Sequence, residues 1–537
     1  MRWRTLFEPR LDAPFPLWMI FPVIFVALYA THFNLLHLPY YWDEAGYYIP
    51  AAWDFFRTGS LIPFSTLSNA HPPLPSIYLA LWWKASDFLP EVTREAVLMV
   101  ASLGLLGVWK LSLRLNGSAA VAFWTTALTA LYPIWFAQST LAHADIFAAA
   151  GTLWGLVYAL PERNRNPRAA AAWFMTAALS KETAIVAPLT LAAIYAVQAV
   201  RSRPPARERR IRESAWLASC VLPLAAWYGW HYAKTGFLLG NPEFLRYNAE
   251  ATLTPLRVLA AFGHRVLHLA AHMNMFVPVM LTAAALMLKP KLDAEGHERA
   301  GIAPAVRLRI LILLLANAAL FSVLGGALLC RYLLPMYPLV LVLAVSTFHR
   351  RVPYWQALCA LSAAAFVAGI FVNPPYGFAP EDNLAYAHVI RLHQAGIAQV
   401  QMRYPGATVL SAWPMTDELS KPELGWVSQP WDVYAIDDFS SAQIDRAAQT
   451  PGRYSAALVF STKYDPPPLI SLGRRFDERY FGLHHDLPPE TVARRLNGTL
   501  VWKAEDQGMW IGLIRFNRQF EARLEPGGTT IGNGVDR

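Results

Sequence analysis

Two adjacent carboxylates, Asp43 and Glu44, stand among aromatic residues in "YYWDEAGYYIP" (40–50), directly after a long apolar run. A carboxylate beside an aqueous cavity can take a proton from an attacking hydroxyl, provided it is held within hydrogen-bond reach. The neighbouring Tyr40, Tyr41, Trp42, Tyr47 and Tyr48 suit a sugar, whose C–H faces stack on aromatic rings while its hydroxyls seek polar partners. Other polar residues follow at apolar boundaries: His71 in "NAHPPLPSIYLA", His143 and Asp145 in "STLAHADIF", Lys181 and Glu182 in "LSKET", Arg331 and Tyr332 in "LLCRYLLPMYPL". A leaving phosphate needs fixed positive charge, which Arg331 or Lys181 could supply. Each residue has a plainer reading. Asp145 could cap a helix, Lys181 and Glu182 could make a turn, Arg331 could anchor at headgroups, and "HPPL" could simply break the chain.

The elements that must position these residues are apolar helices. The chain has 537 residues, 55% hydrophobic and only 15% charged, where a soluble protein carries about 25% charged residues. We read it as an integral membrane protein. The net charge of +9 is read as topology rather than as a sign of a nucleic-acid partner, because Lys and Arg fall in short stretches between apolar runs. The N-terminus has a basic start but lacks an A-x-A-like cleavage site after its apolar run, so it reads as an uncleaved first span. Cys220, Cys330 and Cys359 lie in or at the ends of apolar segments and imply neither a disulfide framework nor a Cys-based zinc site.

A span needs about 20 apolar residues. Candidates are 16–36, 95–113, 118–137, 143–160, 184–200, 214–233, 268–288, 310–328, 332–348 and 353–372. The basic groups Arg2/Arg4/Arg10, Lys110/Arg114, Arg163/Arg165/Arg168, 201–212, 289–309 and Arg350/Arg351 share the cytoplasmic side only if 169–181 crosses as a short span and 73–89 does not. The latter then lies on the membrane within a long outer loop (37–93), with Trp82 and Trp83 at headgroup level. The expected fold is mainly α: a polytopic transmembrane bundle (1–372) of about eleven spans, followed by an extracytoplasmic α/β domain (373–537). The composition changes at "NPPYGFAPEDN", beyond which "ATVLSAW", "YSAALVFS" and "TLVWKAEDQGMWIGLIRF" read as strands. This topology places Asp43, Glu44, His71, His143, Asp145, Lys181, Arg331 and Tyr332 on the outer side together, where costly charges near membrane depth tend to face a cavity.

In "FGHRVLHLAAH", His264, His268 and His272 recur every four residues along one helical face. With Glu243 or Glu250 they could ligate a metal; an amphipathic interfacial helix leading into the next span is the favoured reading. Asp437 and Asp438 in "AIDDFSS" read as turn residues.

The motifs "WDEAGYY", "HPPL", "LAHAD", "LSKET" and "RYLLP", after a first span, resemble the C-type glycosyltransferase superfamily, in particular protein O-mannosyltransferases and bacterial aminoarabinose transferases of lipid A. The resemblance covers roughly 40–350. It implies a polyprenyl-phosphate sugar donor, transfer with inversion, and an extracytoplasmic lipid, protein or polysaccharide acceptor, in a protein of the bacterial inner membrane in contact with its lipids. Carried over, Asp43 is the base, Glu44 supports it, Asp145 is the second acidic position, and Lys181 and Arg331 lie near the lipid phosphate. His71, Tyr47, His143 and Tyr332 complete the expected substrate site. "HPPL" departs from the lysine often found in aminoarabinose transferases, and "SKET" from a Lys-Gly pairing. The superfamily includes metal-dependent and metal-independent members, so no cofactor is assigned and a divalent metal stays open. The alternatives are a secondary transporter, which would place polar groups at midplane on repeated broken helices, and a noncatalytic membrane glycan-binding protein.

Overall fold

The protein is described here from a computed structural model over residues 16–242, 246, 252–467, 473–481 and 485–516. Arg2, Arg4, Arg10, Glu243 and Glu250 lie outside the described residues. The first apolar run forms helix α1 (Leu17–His32). The loop that follows contains two helices, α2 (Ile49–Thr58) and α3 (Leu74–Ala85). Helix α4 (Pro90–Asn116) opens with proline at its first position, where no backbone N–H is needed, and closes at Gly117 with φ 76°. Helix α5 (Ala119–Leu131) is capped by the Ser118 side chain. It stops because Pro133 drives Tyr132 out of the helical region (ψ 124°), and α6 (Pro133–Gln138) starts a new direction.

Helices α7 (Ala144–Ala159) and α8 (Pro167–Ser180) form a tight hairpin. Gly151 and Gly155 share one face of α7. A Cβ on Gly151 would lie 2.9 Å from the Ala177 backbone nitrogen, and one on Gly155 2.6 Å from the Phe174 ring. Small residues four apart let two apolar helices approach closely where lipid gives no hydrophobic drive to association. Beyond them come α9 (Val186–Val200), α10 (Ala206–Ala218), α11 (Val221–Thr235), α12 (Pro255–Ala270), α13 (Phe276–Leu286), α14 (Pro304–Val323), α15 (Tyr337–Arg351) and α16 (Trp355–Phe371).

Four described helical stretches are long and apolar enough to cross a bilayer: Leu17–Leu35, Pro90–Asn116, Glu182–Val200 and Pro304–Val323. A fifth arises if α12 and α13, bent by 100° at their junction, count as one. The expected eleven spans are not reached, because several apolar runs are broken. The run 118–137 divides at Pro133, and 214–233 divides between α10 and α11. In 268–288 the chain turns sharply at Met273 and Asn274, which have φ of 47° and 65°. The segment 73–89 is helical as expected, but Trp83 is no headgroup anchor. It is buried at the contact with α4, where its Nε1 donates to Thr93 at 2.9 Å.

After helix α17 (Ala385–Arg403) the chain builds a mixed sheet of β1 (Val409–Ala412), β2 (Val433–Ile436), β3 (Ala456–Phe460), β4 (Thr499–Asp506) and β5 (Met509–Arg515), in the order β2-β1-β3-β5-β4. The first three are parallel, and β5 is antiparallel to both β3 and β4. The β4–β5 hairpin turns on Gln507 and Gly508, both with positive φ, which matches the twist of the paired strands. Four strands, β1, β3, β4 and β5, fall in the three expected stretches. The fifth, β2, ends at the expected turn, where Asp438 accepts from the Ser440 backbone N–H at 2.8 Å.

The sheet region seals onto the first loop. Tyr40 N donates to Leu424 O (3.1 Å), Trp426 Nε1 donates to Tyr40 O (2.8 Å), and the Trp413 ring abuts Gly46, where a Cβ would meet it at 2.8 Å.

Candidate active site

The segment "WDEAGYY" forms one wide turn of π-helix over Glu44–Tyr48, preceded by Trp42 with φ 50°. Insertions of this kind are frequent at functional sites, where they re-aim side chains. Here they send the two adjacent acids in different directions. Asp43 binds the guanidinium of Arg331. Glu44, expected from the resemblance to support Asp43, turns into the core instead. It accepts from Ala142 N at 2.7 Å and Tyr41 N at 3.1 Å, and pairs with the buried Arg94 at 3.3 Å. Arg94 also donates to the carbonyls of Leu38, Pro39 and Thr140. Glu44 and Arg94 thus fasten the loop to α4 and to the turn before α7.

Asp145 stands in the first turn of α7, but its carboxylate caps no backbone group. It reaches Lys181 Nζ at 2.7 Å and lies 3.4 Å from Arg331 Nε. Lys181 is presented by the extended residue that ends α8, and its ammonium sits 4.2 Å over the Tyr332 ring. Arg331, in the short turn Cys330–Leu333, is almost wholly buried and gathers Asp43, Asp145 and Glu381. A buried guanidinium is tolerable only when so paired. Segments separated by up to 338 positions, from Asp43 to Glu381, therefore meet in one ionic cluster.

Glu381 was not anticipated. It lies in "PED", an acidic pair at the start of the second region, which was the available signal. Burial pushes its carboxyl up to about 8, opposed by Arg331 and reinforced by Asp43, Asp382 and Asp145. Burial alone would weaken the Arg331 proton, but Glu381, Asp43 and Asp145 hold it raised well above its ordinary value. Glu381 Oε2 and His143 Nε2 are buried atoms with no hydrogen-bond partner among the described residues.

His143 joins the cluster through Arg331, 3.4 Å from its Nδ1, which also contacts Gln138 Oε1 at 2.8 Å. The half-buried Tyr48 ring lies between His143 (5.8 Å) and His71 (5.9 Å), stacking on the latter. His71 pairs with Glu182 at 2.8 Å. His71, Tyr47, Tyr48, Asn69 and Trp227 line a neighbouring cleft. Asp43 and Arg331 do not line it. The expected site residues therefore divide into an ionic cluster (Asp43, Asp145, Lys181, Arg331, Tyr332, His143) and a cleft wall (His71, Tyr47), joined through Tyr48.

Of the three histidines on α12 and its end, His264 is exposed while His268 and His272 are buried. Arg257, Arg265 and His268 turn inward and Leu256, Leu259 and Leu267 outward. The helix is amphipathic as expected, with its polar face toward protein. The carboxylates proposed to complete a metal site, Glu243 and Glu250, lie outside the described residues.

Two crystal structures of ArnT from Cupriavidus metallidurans share this fold. The one bound to undecaprenyl phosphate aligns with 92% of this chain and 97% of its own, with a TM-score of 0.53 and 14% identity. The apo form aligns with 93% and 98%, with a TM-score of 0.51 and 14% identity. No protein-family model and no curated protein matches the chain. At this identity the likeness is one of fold, and that fold agrees with the resemblance to C-type glycosyltransferases read from the motifs.

Proposed function

We propose that the chain is a membrane glycosyltransferase that moves a sugar from a polyprenyl-phosphate donor to an extracytoplasmic acceptor, with Asp43 as the base. The observation that carries this reading is the convergence of Asp43, Asp145, Lys181 and Arg331 in one cluster. Asp43 is its accessible edge, with 22% of its side chain exposed against 2% for Arg331 and 3% for Asp145. An acceptor arriving from water meets Asp43 first, and a lipid-borne phosphate has two cations deeper in the cluster.

The acceptor oxygen attacks the anomeric carbon as Asp43 takes its proton, and the bond from that carbon to the phosphate oxygen breaks. The departing phosphate carries the electron pair to Arg331 and Lys181, whose charges are already in place and need no reorganisation. A single displacement inverts the anomeric centre. The undecaprenyl phosphate bound to ArnT, on the same fold, favours a polyprenyl carrier.

Sidedness is favoured by the α7–α8 hairpin. Asp145 and Lys181 are at one end, Arg163, Arg165 and Arg168 at the other, about 24 Å away along sixteen helical residues. Basic residues mark the cytoplasmic side, so the cluster faces outward, and the sheet region that contacts the same loop lies outside with it.

The test incubates purified protein in detergent with a panel of polyprenyl-phosphate sugars and measures free polyprenyl phosphate. Asp43→Asn should reach the membrane and fold, yet lose turnover by about 100-fold to 10,000-fold. Undiminished release by this variant would remove Asp43 from the role of base.

A further inference from the structure

We propose that His268, His272, Cys330 and Asp382 form a zinc site that locks together the two segments carrying Arg331 and Glu381. Ligand atoms of His268, His272 and Cys330 all lie within 4.8 Å of one another, and all three residues are buried. Asp382, 1% exposed, joins them: its Oδ2 is 3.0 Å from His272 Nε2, and its carboxylate also contacts the Cys330 thiol. Its other oxygen, Oδ1, is buried without a hydrogen-bond partner among the described residues. The donor set is two imidazoles, a thiol and a carboxylate, which is the chemistry of tetrahedral zinc.

Zinc bonds of about 2.0–2.3 Å require ligand atoms about 3.3–3.8 Å apart. For His268, His272 and Cys330, closing from 4.8 Å asks for side-chain movements of about 1 Å, within the reach of rotamer adjustment. Charge also balances: the thiol releases its proton to solvent on binding, and thiolate plus carboxylate offset a divalent ion. The cation facing the cluster, Arg265, is 3.4 Å from His268 Nδ1 and is held away by the carbonyls of Phe321 and Leu329, at 3.1 and 2.7 Å.

The four ligands come from three separate segments: α12 with the turn at its end, the turn Cys330–Leu333, and Pro380–Asp382. Cys330 immediately precedes Arg331, and Asp382 immediately follows Glu381. Zinc would thus hold the Arg331–Glu381 pair from behind, without touching substrate. The ligand spacing in the sequence is too wide to read as a zinc motif, and only the tertiary fold brings Cys330 and Asp382 to the histidines at the end of α12.

The experiment uses full-length protein in detergent. Zinc is quantified by mass spectrometry, then removed, and Zn²⁺ or Co²⁺ alone is titrated back. About one zinc per chain is expected, and Co²⁺ should give the intense visible absorption of a tetrahedral site with a near-ultraviolet thiolate band. Cys330→Ser should abolish that band, Asp382→Asn should weaken zinc binding about 10-fold to 100-fold, and Cys359→Ser, outside the cluster, should change neither. Wild-type protein that holds no stoichiometric zinc and gives no Co²⁺ band overturns the proposal, even if the variants do not fold. So does a zinc content that Cys330→Ser and His272→Ala leave unchanged. The metal readout is independent of sugar transfer, so its failure and that of the transferase reading are separable.

Discussion

Asp43 and Glu44 are neighbours in sequence with separate tasks. One faces the accessible edge of an ionic cluster, and the other is sealed against Arg94. Glu44→Gln would leave the Arg94 charge in the core without its partner, and breaking a buried pair in this way costs about 3–5 kcal/mol. The expected result is a large drop in thermal stability in detergent. The double variant Glu44→Gln with Arg94→Met should recover part of it, because the desolvated charge is gone as well. A single Glu44→Gln variant as stable as the parent, but catalytically dead, would instead return Glu44 to the chemistry.

Among the helices, the α7–α8 hairpin sets the geometry of the cluster. It presents Asp145 near the start of one helix and Lys181 just past the end of the next, and their 2.7 Å contact depends on how closely the two axes run. Gly151 permits that approach. Gly151→Leu should force the helices apart, with an overpacking cost of about 1–3 kcal/mol, and transfer should fall further than stability does. Comparing polyprenyl phosphate release with the melting temperature would separate the two effects. Equal activity in the variant would mean that the hairpin spacing does not control the site.

At the level of the whole chain, the sheet region acts as a clamp on the loop that carries Asp43. Trp426 donates to Tyr40 O, and Trp413 covers Gly46. Trp426→Ala removes a buried indole and its hydrogen bond, a change that costs about 3–5 kcal/mol in a packed core. We expect faster proteolysis of the 37–93 loop in this variant, together with reduced transfer. A protection pattern identical to that of the parent would show that the loop holds its shape unaided.

The amino-acid order by itself determined the local features. Long apolar runs make helices in any fold, β-rich runs between turn residues mark β1, β3, β4 and β5, and "WDEAGYY", "LAHAD", "LSKET" and "RYLLP" name most of the cluster in advance. Short-range steric and hydrophobic preferences suffice for that. Three matters were decided only by tertiary structure. The breaks and the 100° bend reduced the number of full-length spans. The π-turn parted Asp43 from Glu44. Glu381 and Asp382 acquired a place beside Arg331 and His272 only once a segment beyond α16 folded back over the helices. The reason is physical: which buried charge meets which depends on contacts between segments hundreds of residues apart, and no local pattern encodes them.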